Sequence, residues 1–120
     1  MEMEFVAFIG EDKESWGQVK GLMNRIDCEK IFIVKSKKVS DFPVNSKTQV
    51  ITVDSGKSLI DLKEDILTSL KGKLSGDFEV ALSLASGNGK EHMALISALL
   101  SIPVGIRLVV FTKKGVEWIN

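Results

Sequence analysis

The residue types best suited to holding a ligand gather at Ala85-Ser86-Gly87-Asn88-Gly89-Lys90. Gly87 and Gly89 allow a tight turn and let the backbone approach a ligand with no Cβ in the way. A helix starting just after them would aim its first N–H groups at that ligand, with the positive end of its dipole behind them. Ser86 and Asn88 add hydrogen-bonding groups, and Lys90 adds a full positive charge. The chemistry this suits is phosphate binding. A second small, polar stretch, Gly10-Glu11-Asp12-Lys13-Glu14-Ser15, has the same loop character.

More specific chemistries fail on spacing. A Walker loop needs glycine where Leu84 stands. The dinucleotide fingerprint could start at Gly87, but finds His92 or Met93 where its last small residue belongs, so no cofactor is expected. His92 lies too close to Ser86 in sequence, with no acid indicated to orient it, for a Ser-His-Asp triad; it reads as partly packed against Leu95 and Ile96. One cysteine and one histidine exclude an internal disulfide, a cysteine-built zinc site and a multi-histidine metal centre. Cys28 reads as a small core residue and Trp16 as core or dimer contact.

The elements that must position these loops follow from periodicity. Short apolar runs at Glu4–Ile9, Ile31–Val34, Thr48–Val53, Phe78–Leu84 and Ile106–Phe111 read as strands. Trp16, Val19, Leu22, Met23 and Ile26 recur at helical spacing, with Asp12 as a candidate N-cap. Leu59, Leu62, Ile66, Leu67, Leu70 and Leu74 share one face of a helix opened by Ser58, with Asp61 as the acid of a capping box. A third helix, about Lys90 to Ser101, is apolar nearly all round and predicts burial on two faces. Thr112-Lys113-Lys114-Gly115 is hairpin chemistry, returning Val116–Ile119 antiparallel as an edge strand.

Helices alternating with buried strands predict an α/β fold: a three-layer, Rossmann-like sheet of order 3-2-1-4-5 with an antiparallel C-terminal edge strand. The stretch from Ser36 to Lys47 has no helical period, so it must itself cross from the second strand to the third. It also carries Phe42-Pro43-Val44 and suggests a flap over the ligand or against a second subunit. In such a sheet, ligands bind at the carboxyl ends of the strands where the order reverses, here between the first and fourth. The loops after those two strands are the two already singled out. The binding residues expected are therefore Gly10, Glu11, Asp12, Lys13, Ser86, Gly87, Asn88, Gly89 and Lys90.

With 120 residues the chain fits one domain, residues 1–120. A hydrophobic share of 44% excludes a disordered chain. Sixteen basic residues balance sixteen acidic ones, which argues against coating duplex DNA or an anionic membrane. The clusters Lys35-Ser36-Lys37-Lys38 and Lys113-Lys114 read as solvated surface. No apolar run reaches membrane-span length, and Met1-Glu2-Met3-Glu4 is acidic where a secretory leader would be basic, so a cytoplasmic protein is expected.

In element order, including the hairpin at Lys113-Lys114-Gly115, and in the stretch Leu82 to Ala94, the chain resembles CRISPR-associated Rossmann fold (CARF) domains. The family typically places an Asn or Asp after the fourth strand, a Ser or Thr two residues on, and a Lys or Arg four further. Ser86 and Lys90 fit that spacing; Leu84 stands where the Asn or Asp belongs. The resemblance implies a homodimer that binds a cyclic oligoadenylate made by type III CRISPR complexes, across its two-fold axis. It implies a sensor, a buffer or a ring nuclease, the last working without metal by attack of a ribose 2′-hydroxyl on the neighbouring phosphate. Lys90 is then the best candidate for a catalytic group. The alternative is a mononucleotide or another phosphorylated metabolite in the same crevice.

Overall fold

Strand β1 (Glu4–Ile9) is buried along its whole length. That is why it is apolar at consecutive rather than alternate positions. Val6 and Phe8 point to one side of the sheet, and Phe5, Ala7 and Ile9 to the other. The computed structural model describes residues 3–74 and 79–120. Around β1 lie β2 (Lys30–Ser36), β3 (Thr48–Val53), β4 (Glu79–Ser83), β5 (Gly105–Thr112) and β6 (Gly115–Trp118). They form one sheet of order β3-β2-β1-β4-β5-β6, parallel throughout except for the β5–β6 hairpin. The expected fold is therefore the observed one. Phe78, expected to open the fourth strand, lies outside the described residues.

Helices α2 (Leu59–Leu70) and α3 (Gly89–Ser101) cover one face of the sheet. Leu62, Ile66 and Leu70, with Ala94, Leu95, Ala98 and Leu99, meet Val6, Phe8, Phe32 and Val34 there. Ser58 Oγ accepts the Asp61 N–H at 3.2 Å, so the serine half of the expected capping box is made. The helix stops earlier than its apolar spacing suggests, and Leu74 is buried from the turn beyond it. Gly115 has φ +100°, as the hairpin requires.

Among the described residues, the opposite face carries one α-helix, α1 (Trp16–Arg25), whose Trp16, Val19, Leu22 and Met23 pack on Phe5, Ala7 and Ile9. The irregular β2–β3 crossover supplies the rest of that layer. Val39 and Phe42 are buried, and the Phe42 ring meets Trp16 edge-on at 5.5 Å between centroids. Lys35 donates to the Val39 carbonyl, and the Val39 N–H donates to the Ser36 carbonyl. The segment suggested as a flap is thus packed into the fold through Val39 and Phe42, while residues 43–47 are exposed.

Two local expectations change. Asp12 does not cap α1: a single 3-10 turn (Lys13–Ser15) precedes that helix, and neither start has a side-chain cap bond. Helix α3 is not buried on two faces within one chain. Its outward side leaves Met93 59% and Leu100 61% exposed, flanking the half-buried Ile96.

Candidate functional site

Parallel pairing brings the ends of β1, β2, β3 and β4 to one edge of the sheet. Ile9 pairs with Lys35, Lys35 with Thr52, and Ala7 with Ser83. The segments that follow, at 11–12, 36–38, 54–56 and 87–91, enclose a polar cleft of about 740 Å³.

Its floor is where the loops after β1 and β4 touch. A Cβ on Gly10 would lie 2.8 Å from the Gly87 Cα, so only glycine permits this approach. Ser86 is fully buried. Its Oγ accepts the Gly10 N–H at 2.9 Å and lies 3.3 Å from Asp12 Oδ1, to which it donates. The same Asp12 oxygen accepts the Gly87 N–H at 3.3 Å. Partial desolvation opposes ionisation of Asp12. Hydrogen bonds from Ser15, its own N–H, Gly87 and Ser86 outweigh that and hold its carboxyl below the usual aspartate value. Trp16 Nε1 donates to the Gly10 carbonyl at 2.9 Å, which explains a tryptophan at the start of α1.

The start of α3 is closed by its own acid. Asn88 Oδ1 accepts the Glu91 N–H, and Glu91 Oε1 accepts the Asn88 N–H, both at 2.9 Å. This reciprocal capping box is written in the sequence as Asn-x-x-Glu. Glu91 Oε2 also accepts from Ser55 Oγ at 2.6 Å, drawing the β3–α2 loop onto α3. His92 Nε2–H donates to the Ser86 carbonyl at 2.7 Å, which fixes its tautomer and steadies the turn. Lys90 Nζ donates to the Ser55 and Lys57 carbonyls at 2.7 and 2.9 Å.

The third wall comes from the ends of β2 and β3. Lys37 Nζ lies 3.3 Å from Asp54 Oδ2, while Asp54 Oδ1 accepts the Gly56 N–H at 2.9 Å. The Gly56 N–H first, then the Lys37 ammonium, hold the Asp54 carboxyl below its ordinary value. Among the described residues, the Lys38 ammonium makes no ion pair.

Of the residues expected from the sequence, Glu11, Asp12, Gly87 and Asn88 line this cleft. Gly10 and Ser86 lie beneath it as struts. Gly89 borders an apolar groove along α3 with His92, Met93, Ile96, Ser97 and Leu100. Lys13 faces a neighbouring hollow, 5.6 Å over the Trp16 ring and 3.9 Å from Asp41. Lys90 is tied to the loop beside the cleft. Ser36, Lys37, Lys38, Asp54, Ser55 and Glu91 line the cleft without having been expected there. The signal for them was the topology itself, since every parallel strand delivers its carboxyl end to the same edge.

The arrangement can receive a ligand that carries negative charge at one end and hydroxyl or amino donors at the other. Lysines stand on the β2 wall with the Asp54 carboxylate of the β3 wall beside them, and further carboxylates stand on the β1 and β4 walls. No family model matches the chain, and no curated protein matches it.

Proposed function

We propose that the chain binds a cyclic oligoadenylate, with cyclic tetra-adenylate the first candidate, as a homodimer. It would act in the cytoplasm as a sensor, buffer or ring nuclease in type III CRISPR defence. The observation that carries this reading is the adjacency of two features at one end of α3. The polar cleft reaches Gly87 and Asn88, and the uncovered apolar groove begins at Gly89. Pairing two copies with a two-fold axis near residues 86–90 buries Met93 and sets two clefts side by side, enough for a ring too large for one. In a ring nuclease the 2′-hydroxyl of one ribose loses its proton and its oxygen bonds to the adjacent phosphorus as the bond to the next 5′-oxygen breaks, that oxygen leaving as a hydroxyl once it takes up a proton. The protein's share is in-line alignment and charge stabilisation. A second reading, a mononucleotide or other phosphorylated metabolite held by one chain, draws on the fact that four loops of a single chain complete the cleft. Its volume falls within the usual range for small-ligand pockets.

Thermal-shift measurements with cyclic tri-, tetra- and hexa-adenylate and with AMP and ATP test both, alongside sedimentation. Stabilisation by a cyclic oligoadenylate and a dimer at micromolar concentration are expected. Leu100→Glu, on the exposed side of α3, should yield a folded monomer with weakened ring binding. A strict monomer with and without ligand, responding to mononucleotides alone, replaces the first reading with the second.

A further inference from the structure

The loop at the start of α3 has the composition of a phosphate cradle, but three of its donors are already engaged. The Gly87 N–H faces the Asp12 carboxylate, and the Asn88 and Glu91 N–H groups are closed in the capping box. An anion placed there meets two carboxylates first. Lys90 does not line the cleft, and two carbonyls hold its ammonium on the β3–α2 loop.

The opposite wall offers ammonium groups, with a single carboxylate, Asp54, beside them. Lys37 and Lys38 enter the cleft from a turn that the fold holds in place. The Lys37 N–H donates to the Val53 carbonyl at 2.9 Å, the Lys38 N–H reaches Ser36 Oγ at 3.3 Å, and Val39 just beyond is buried. Lys37 has one exposed partner, Asp54, and the Lys38 ammonium is unpaired among the described residues. One ammonium with no ion-pair partner among the described residues, that of Lys38, therefore lies beside the Lys37–Asp54 pair at the end of β2.

We propose that Lys37 and Lys38 form the phosphate subsite of the cleft, and that Glu11, Asp12 and Asn88 on the facing wall take the ribose hydroxyls and the adenine amino group of the same nucleotide. This rests on the reading that the cleft binds a nucleotide, and it fixes the direction in which the nucleotide lies. Lysine suits the role as a point charge on a phosphate oxygen. Carboxylates accept from hydroxyl and amino donors and repel phosphate, so the charge division orients the ligand as well as holding it.

Two probes separate this proposal from the reading beneath it. Inorganic pyrophosphate, followed by amide NMR, should perturb residues 36–38 of the wild type and leave the α3 start unmoved. Lys38→Ala should weaken its binding more than about tenfold. Lys37→Ala should weaken it further, because it also leaves Asp54 unpaired. Lys90→Ala should stay within about threefold of wild type. The same order should hold for cyclic tetra-adenylate by calorimetry. If that ligand binds and Lys90→Ala abolishes binding while Lys38→Ala does not, the subsite is wrong and the functional reading stands. If pyrophosphate binds at 36–38 and no adenylate does, the subsite stands and the functional reading falls. A wild type that binds neither probe overturns both.

Discussion

At the scale of single residues, one hydroxyl does the most. Ser86, itself fully buried, accepts at Oγ from Gly10 and donates to Asp12. Ser86→Ala leaves the Gly10 N–H without its acceptor, and a buried unsatisfied donor costs about 1–3 kcal/mol. Urea denaturation should show that loss, whereas the same change at the exposed Ser40 should be almost neutral. Asp12 adds a pH signature. Its carboxyl is held below the usual value of 3.8 by the bonds it accepts. The folded state therefore favours the ionised form. That contribution is fully present above the unfolded value and is lost as pH falls through the lower folded value. Asp12→Asn should lower stability at neutral pH and flatten the stability profile below about pH 4, the unperturbed range of aspartate, where the two proteins converge. A denaturation series across that range checks it, and identical acid slopes in the two proteins would show that Asp12 is not held as described.

At the scale of elements, the β2–β3 crossover stands in for a missing helix. Phe42 closes the α1 layer against Trp16, and removing such a ring costs about 3 kcal/mol. Phe42→Ala should show that loss in denaturation even with no ligand present. The Val39 amide, bonded to Ser36, should exchange slowly in the free protein. Fast exchange there would restore the flap. The strands, the helices and their order were legible in the sequence because buried apolar runs and helical spacing survive without tertiary information. The hairpin turn was legible too, because Gly115 needs a positive φ. The site was half legible. Gly10, Gly87, Ser86 and Asn88 betray themselves by residue type. Lys37, Lys38 and Asp54 do not, because charged residues after a strand look the same whether they face a cleft or bulk water. The internal use of Asp12 and Glu91 was hidden for a related reason. Asp12 looks like a helix cap, and only the approach of two loops far apart in sequence shows where its carboxylate goes.

At the scale of the molecule, the chain is one sheet with a helical layer on one side and a layer of helix plus packed loop on the other. No helix among the described residues is long and apolar enough to cross a membrane. The sheet ends differently at its two margins. β6 closes one margin with a four-residue strand, Gly115–Trp118, and the short, twisted return of a hairpin. β3 forms the other, paired with β2 alone, and it reads Thr-Gln-Val-Ile-Thr-Val. That strand holds no charge, proline or glycine, and Val50 on it is 42% exposed. A row of unspent backbone donors and acceptors beside β-branched side chains is a template for another strand of the same kind. Lys47 and Asp54 bracket it as gatekeepers, yet nothing between them interrupts it. Partial unfolding at that margin should thus lead to aggregation through residues 48–53. Val50→Lys should suppress the light scattering that accompanies heating while changing folding stability by less than about 1 kcal/mol. Unchanged scattering would place the adhesive segment elsewhere. Suppressed scattering would mean that the margin completing the polar cleft at Asp54 and Ser55 carries, a few residues upstream, the chain's main liability to self-association without folding.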